Sequence, residues 1–250
     1  MMQIIISPAK KMNLEKESPY ALSQAALLDK TQVLLAYLQS LDVTQLKALL
    51  KCNEQIARLN AQRFMTMDLS SGQMQAAILS YDGIQYQYMA PGVFSQEAYA
   101  YLASHLWILS GFYGALRPFD GIQAYRLEMQ TKLKTPFCQD LYDFWQDTIY
   151  QLVTDQEHTI LNLASKEYSR VIERYLTPRD CMVRCVFGSL EAGKVREKGV
   201  YVKMARGEMV RFLAMEGITD LEGAKHFEGR GFRYSPIHSD EETYVFLREE

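Results

Sequence analysis

A chain of 250 residues with 48% hydrophobic and 23% charged residues can bury a sizeable core and has the balance of an ordinary globular protein. Its net charge of −3 argues against a generally basic nucleic-acid protein, and the absence of any apolar run of about eighteen residues argues against a membrane span. The N-terminus, Met1-Met2-Gln3-Ile4-Ile5-Ile6-Ser7-Pro8, lacks the basic region of a signal peptide, so a cytoplasmic protein without membrane contact is expected.

Gln3 to Ile6 reads as a buried strand stopped by Ser7-Pro8 and followed by a polar loop with Lys10 and Lys11. Helical spacing runs from Ala21 to Leu41. Thr44 can cap a second helix, Gln45 to Lys51, and a third runs from Asn53 to Phe64. Asp82-Gly83 turns into Ile84-Gln85-Tyr86-Gln87-Tyr88, which alternates like a strand. Ser95 caps a helix to about His105, and Leu106 to Leu109 is a buried strand. Asp140 to Gln156 is one amphipathic helix, and Thr159 to Ala164 is a strand ending at Ser165, which can cap the helix Glu167 to Arg170. Cys181 to Leu190 and Val195 to Met204 form a hairpin around Glu191-Ala192-Gly193-Lys194; a helix Gly207 to Met215 follows, and Glu242 to Leu247 is a last strand. Strands and helices interleave too irregularly for a run of βαβ units. The expectation is an α+β fold, one compact mixed domain over residues 1–250.

Cys52, Cys138, Cys181 and Cys185 show no disulfide or C-x-x-C spacing; Cys181 and Cys185 share one strand face, where buried free thiols are usual. Four scattered histidines make no zinc pattern, so neither a metal nor a cofactor is expected. Charge is unevenly spread: residues 1–64 carry +3, 65–168 −6, 169–211 +5 and 212–250 −5. Two basic blocks far apart in sequence can form one basic cleft focusing its field on an anion, or be unrelated solvated faces.

The densest polar segment is Leu109-Ser110-Gly111-Phe112-Tyr113-Gly114-Ala115-Leu116-Arg117-Pro118-Phe119-Asp120, followed by Tyr125-Arg126-Leu127-Glu128-Met129. Arg117 before Pro118 is held extended, and Asp120 is placed to orient its guanidinium. Three strands end in a serine with charged residues beyond, an arrangement consistent with one shared site. Lys10, Arg117, Arg126 and Lys203 would supply positive charge to it; Ser7, Ser110, Asn162 and Ser165 would supply hydrogen bonds; Tyr86, Tyr113, Tyr125 and Tyr168 would supply flat faces. Each serine taken alone reads equally as a cap or turn residue. Lys203-Met204-Ala205-Arg206-Gly207, with Arg211 beyond, joins a strand to a helix and is a phosphate-binding candidate. Asp82, Asp120, Glu128 and Glu167 can furnish a carboxylate pair, but spacing does not show that they converge. No dinucleotide fingerprint, P-loop, H-E-x-x-H or G-x-S-x-G is present.

With Ile6-Ser7-Pro8-Ala9-Lys10, Asn60-Ala61-Gln62-Arg63-Phe64, the 109–120 and 125–129 segments, Leu141-Tyr142-Asp143-Phe144-Trp145, Asn162-Leu163-Ala164-Ser165-Lys166-Glu167-Tyr168 and Lys203 to Gly207 with Arg211-Phe212 in order, the chain resembles the YaaA family of bacterial peroxide stress proteins. The resemblance implies a family-specific α+β fold, binding of duplex and irregular DNA through a basic cleft, and protection from hydrogen peroxide with limitation of free iron. It implies no established reaction. It also implies a helix-hairpin-helix, for which Val43 to Phe64 is the candidate, with Lys47, Lys51, Arg58 and Arg63 for phosphates; Cys52-Asn53 stands in place of the usual Gly-x-Gly hairpin. Met204 stands where a second lysine is common. Two functions follow as expectations: a sequence-nonspecific DNA-binding protein of the peroxide response, or an enzyme acting on a nucleotide, nucleoside or nucleic acid through the Ser110–Glu128 cluster.

Overall fold

In a computed structural model, which describes residues 1–13, 18–70 and 72–248, the organising element is a strand with no exposed residue. This is β1, Gln3–Ile6, whose Ile4, Ile5 and Ile6 are fully buried. A run apolar on both faces suits the middle of a parallel sheet covered on both sides. The strand sits between β2 (Leu106–Ser110) on one side and β4 (Thr159–Leu163) on the other, parallel to both, with Ile4 opposite Leu106 and Leu161. Beyond β2 lies the antiparallel β3 (Gly114–Leu116). Beyond β4 come β5 (Cys181–Glu191) and β8 (Thr243–Arg248), both parallel, and the antiparallel edge β7 (Phe232–Tyr234). The hairpin strand β6 (Lys194–Arg196) pairs with β5. The sheet thus has the order β7-β8-β5-β4-β1-β2-β3 and is mostly parallel.

Around it pack α1 (Leu28–Gln39), α2 (Val43–Leu50), α3 (Glu54–Thr66), α4 (Ile84–Met89), α5 (Gln96–His105), α6 (Leu141–Trp145), α7 (Thr148–Thr154), α8 (Lys166–Glu173) and α9 (Gly199–Glu216). The result is a single compact mixed α+β domain with one continuous core cluster. No helix among the described residues is long and apolar enough to cross a membrane.

Local chemistry sets most boundaries. Asp42 caps α2 in a reciprocal box with Gln45, Asn53 caps α3 through Ile56 N–H, and Ser95 caps α5 through Ala98 N–H. The cap of α2 is therefore Asp42 rather than Thr44. The turn from α2 to α3 places Lys51 at φ 45°, the left-handed role glycine usually fills. The N–H groups of Lys51 and Cys52 are bonded to Ala48 and Lys47 carbonyls inside that turn.

Four expectations are corrected. Ile84–Met89 is a helix rather than a strand, because packing against α9 buries Gln85, Tyr86 and Met89 on one side. The strand expected over Val195 to Met204 ends at Arg196, and α9 begins at Gly199. The single helix expected over Asp140 to Gln156 is broken at Gln146, whose φ is 48°. Cys185 is buried, but Cys181, at the strand's beginning, is exposed.

Asp180 shows how one carboxylate closes a loop. It accepts from Thr177 N–H (2.6 Å), Thr177 Oγ1 (2.8 Å), Tyr150 Oη (2.9 Å) and His158 Nδ1 (2.7 Å). Burial opposes its ionisation, but these hydrogen bonds outweigh burial and bring its pKa down to about 2 from 3.8. A depressed carboxylate contributes stability that is present above its unfolded pKa and is lost as pH falls toward the folded one. Asp180→Ala is therefore expected to destabilise by about 3 kcal/mol at pH 7, with the gap to wild type closing between about pH 4 and 2 in urea titrations.

Candidate functional site

The chain leaves β1 for β2 on one side and later returns to β4 on the other, so the carboxyl ends of these strands open a crevice beside Ser7, where such sheets gather ligands. Ser7 and Ser165 join two of the loops: Ser165 N–H donates to Ser7 Oγ at 2.8 Å, and the two hydroxyls lie 3.2 Å apart. Tyr86 of α4 donates to the Ser7 carbonyl at 3.0 Å, fixing a third wall.

Glycines set how closely these walls approach. A Cβ on Gly111 would lie 2.5 Å from the Leu127 carbonyl oxygen, so only glycine lets the 125–129 segment cross the end of β2. That crossing brings Arg126 and Glu128 into the crevice, both largely buried. Gly207 works likewise on the opposite wall, where a Cβ would stand 2.1 Å from the Gln85 carbonyl oxygen. It lets α9 press on α4, with Lys203 and Arg206 on the turn preceding the contact.

The resulting cleft has a volume of about 550 Å³ and is lined by five cations, Lys10, Lys11, Arg126, Lys203 and Arg206, against three carboxylates, Asp82, Glu128 and Glu167. Glu128 joins two cations, with Lys10 Nζ at 2.9 Å and Arg126 at 3.1 Å. Lys11 pairs with Asp82 at 2.6 Å. Arg206 is different: its Nε is buried without a hydrogen-bond acceptor, and burial pushes its pKa down. Glu167 is pushed up by burial, opposed by Gln130 N–H at 3.2 Å and reinforced by nearby Glu128. Tyr86, Tyr125 and Tyr168 stay neutral hydrogen-bonding phenols, their pKa values all raised by burial. Among the described residues no group of three or more metal-ligating side chains converges. The cleft thus carries five cations against three carboxylates, beside neutral tyrosines and serines.

A sequence model described as peroxide stress protein YaaA matches residues 2–238. The chain belongs to the YaaA family. A UPF0246 protein of Desulfitobacterium hafniense is 57% identical over 247 residues, covering 99% of this chain and 98% of its own. A UPF0246 protein of Lachnoclostridium phytofermentans is 47% identical over 249 residues, covering 100% and 97%. One of Lactiplantibacillus plantarum is 45% identical over 246 residues, covering 98% and 99%.

The segments that carry the YaaA resemblance divide into cleft and scaffold. Ser7, Lys10, Lys11, Arg126, Glu128, Ser165, Glu167, Lys203 and Arg206, all expected at a shared site, do line the cleft. Much of the Ser110–Glu128 cluster does not. Ser110 is fully buried; its Oγ accepts from Phe112 and Tyr113 N–H and pairs with Tyr125 Oη at 2.6 Å, which in turn meets Tyr81 Oη at 2.7 Å. Tyr113 is buried and accepts from Gln123 N–H, and Asn162 caps the end of β4 through Ala164 N–H. Asp120 accepts from Ser23 Oγ and from the backbone N–H of Arg117, so it holds a turn rather than a guanidinium.

Arg117 is the main correction. The strand β3 runs back antiparallel to β2, with Leu116 opposite Ile108, and carries Arg117 to the other end of the sheet. There its guanidinium lies 3.6 Å from the Trp107 ring centroid and donates to Gln3 Oε1 and the Ser104 carbonyl. Arg211 is also outside the cleft lining, because five residues along a helix turn it about 140° from Arg206. Arg63, in the last turn of α3, is half-buried and outside the lining too. The run from Lys203 to Gly207 lies inside α9 rather than at its start, so it offers the cleft the side chains of Lys203 and Arg206 and no free helix N–H groups. Gln85 is the cleft residue that sequence reading missed; the alternation of Ile84 to Tyr88 concealed a helix.

Proposed function

We propose that this YaaA-family chain binds DNA in the response to hydrogen peroxide, holding backbone phosphates with the cations of the cleft. The observation that carries the reading is the convergence of Lys10, Lys11, Arg126, Lys203 and Arg206 in a protein whose net charge is negative. In an acidic molecule such a concentration attracts a polyanion to one place and leaves the remaining surface unfavourable to it. The family's name ties the chain to peroxide stress. Protection from iron follows from the same contact. Protein cations that neutralise phosphates release the counterions condensed there, Fe²⁺ included, and so remove the reactant from the DNA surface.

The test is binding of a labelled duplex, and of the same duplex carrying a bulge, across a salt series. With about four to five phosphate contacts, the slope of log K against log salt is expected near −4, a loss of about 10²-fold between 50 and 200 mM salt. No binding at 50 mM salt, or binding indifferent to salt, would overturn the reading.

A further inference from the structure

We infer that one face of β5 and β8, with their antiparallel partners β6 and β7, holds a second binding site, for a small carboxylic acid with a flat apolar body. The inference is independent of the DNA reading, because this pocket and the cleft share no lining residue.

Strand alternation builds the site. Phe187 and Ser189, two apart in β5, point to one face of the sheet. Phe246 of β8 is aligned with Phe187, so Arg248, two residues on, shares that face. Arg196 of β6 lies opposite Ser189, and Phe232 of β7 lies opposite Arg248. Four strands thus bring two guanidinium groups and two buried rings to one place. Gly188 lets β6 fold in closely, since a Cβ there would lie 2.7 Å from the Arg196 carbonyl oxygen. Lys198 and Tyr201, at the start of α9, close the remaining side.

The space enclosed is about 260 Å³, less than the roughly 300–1,000 Å³ of drug-sized pockets, so its occupant is small. Its apolar surface is the exposed ring of Tyr201, backed by the buried rings of Phe187 and Phe232, which meet edge to face at 5.6 Å. Its charge is all of one sign. Among the described residues no carboxylate lines it, whereas three carboxylates offset the cations of the cleft.

The decisive observation is the state of the two arginines. Lys198 is paired with Glu191 at 3.3 Å, but Arg196 has neither an ion pair nor a side-chain hydrogen bond among the described residues. Arg248 has no carboxylate partner among them either, and its guanidinium stands 4.8 Å from the Tyr201 ring centroid. The basic block over residues 169–211 therefore sends Lys203 and Arg206 to the cleft and Arg196 and Lys198 here. A carboxylate matches the planar forks of two arginines, and a flat hydrocarbon body matches the Tyr201 face. A bare inorganic anion would leave the apolar surface uncovered, and a neutral hydrocarbon would leave the arginines without an acid.

The experiment is calorimetric titration of the full-length protein with 2-naphthoate, its neutral analogue 2-naphthalenemethanol, and inorganic phosphate. One-to-one binding of 2-naphthoate is expected with Kd of about 0.1 mM, and binding of the alcohol about tenfold weaker. Phosphate should not displace the naphthoate. Arg196→Gln and Tyr201→Ala, both at exposed positions and checked by thermal melting, should each weaken naphthoate about fivefold or more. Lys203→Glu, in the cleft, should leave naphthoate affinity within about twofold, being outside this pocket. Equal affinity for acid and alcohol, displacement by phosphate, indifference to both pocket substitutions, loss of binding in Lys203→Glu, or no binding at all would each overturn the inference.

Discussion

Gly207→Ala is expected to lower stability by about 3 kcal/mol or more, and with it the melting temperature by roughly 10 °C. The new methyl would lie 2.1 Å from the Gln85 carbonyl oxygen and 2.8 Å from Met89 N, backbone atoms of α4 that cannot rotate away. Relief requires α9 to move off α4, which opens the packing of Ala205, Met209 and Val210 against the core. Alanine's better helix propensity returns only about 1 kcal/mol, so the clash wins. The effect extends to function, because Lys203 and Arg206 ride on the displaced helix. Gly199→Ala is the internal comparison: nothing lies within 4 Å of its Cβ, and its backbone is not left-handed. It should be neutral or stabilise by under about 1 kcal/mol. Thermal melts of the two variants check the contrast; equal melting temperatures would refute the close-approach argument.

Reversing two cleft charges, Lys10→Glu with Lys203→Glu, is expected to weaken DNA binding by about 10²–10³-fold at 100 mM salt. On the proposed reading each change takes away a phosphate contact and adds repulsion in the cleft. The first also takes one of two cations from Glu128, leaving Arg126 at 3.1 Å as its partner. The salt slope should become shallower by about two, which separates lost phosphate contacts from a general loss of folding. Neutralising Arg117 or Arg211 to Gln should change affinity by less than about threefold, since neither lines the cleft. Fluorescence anisotropy on the same duplex measures all three variants. Retention of near wild-type affinity in the double reversal would exclude the cleft as the DNA contact.

Arg117 and Arg126 show where sequence reading succeeds and fails. They lie nine residues apart in one polar segment and were expected at one shared site. The hairpin β2–β3 separates them by the height of the sheet, and Gly111 brings Arg126 back over the strand end. Neither the return of β3 nor the crossing at Gly111 is encoded in local periodicity. The density of polar groups was a true signal of something demanding. Much of that demand is structural: Tyr125, in the cleft wall, ties Ser110 and Tyr81 behind it into a buried hydroxyl chain. Gln85 shows the converse failure. A five-residue alternation of Ile and Tyr with Gln satisfies strand periodicity, but one tight contact with α9 makes the same residues a helix.

The sequence by itself determined what depends on neighbours along the chain. The isoleucines of β1 read as a buried strand, Asn53 and Ser95 started their helices, and the stops at Ser7 and Ser165 marked strand ends rich in polar groups. The residue types that line the cleft, lysine, arginine, serine and tyrosine, were legible in the same way. Only the tertiary structure decided which of them meet. Parallel pairing of β1 with β2 and β4 joins segments separated by about a hundred residues or more, and the cleft exists only at that junction. Membership of the cleft then turned on rotations a sequence does not display. A helical step of five residues excludes Arg211, an antiparallel return excludes Arg117, and two glycines admit the walls that carry Arg126, Glu128, Lys203 and Arg206.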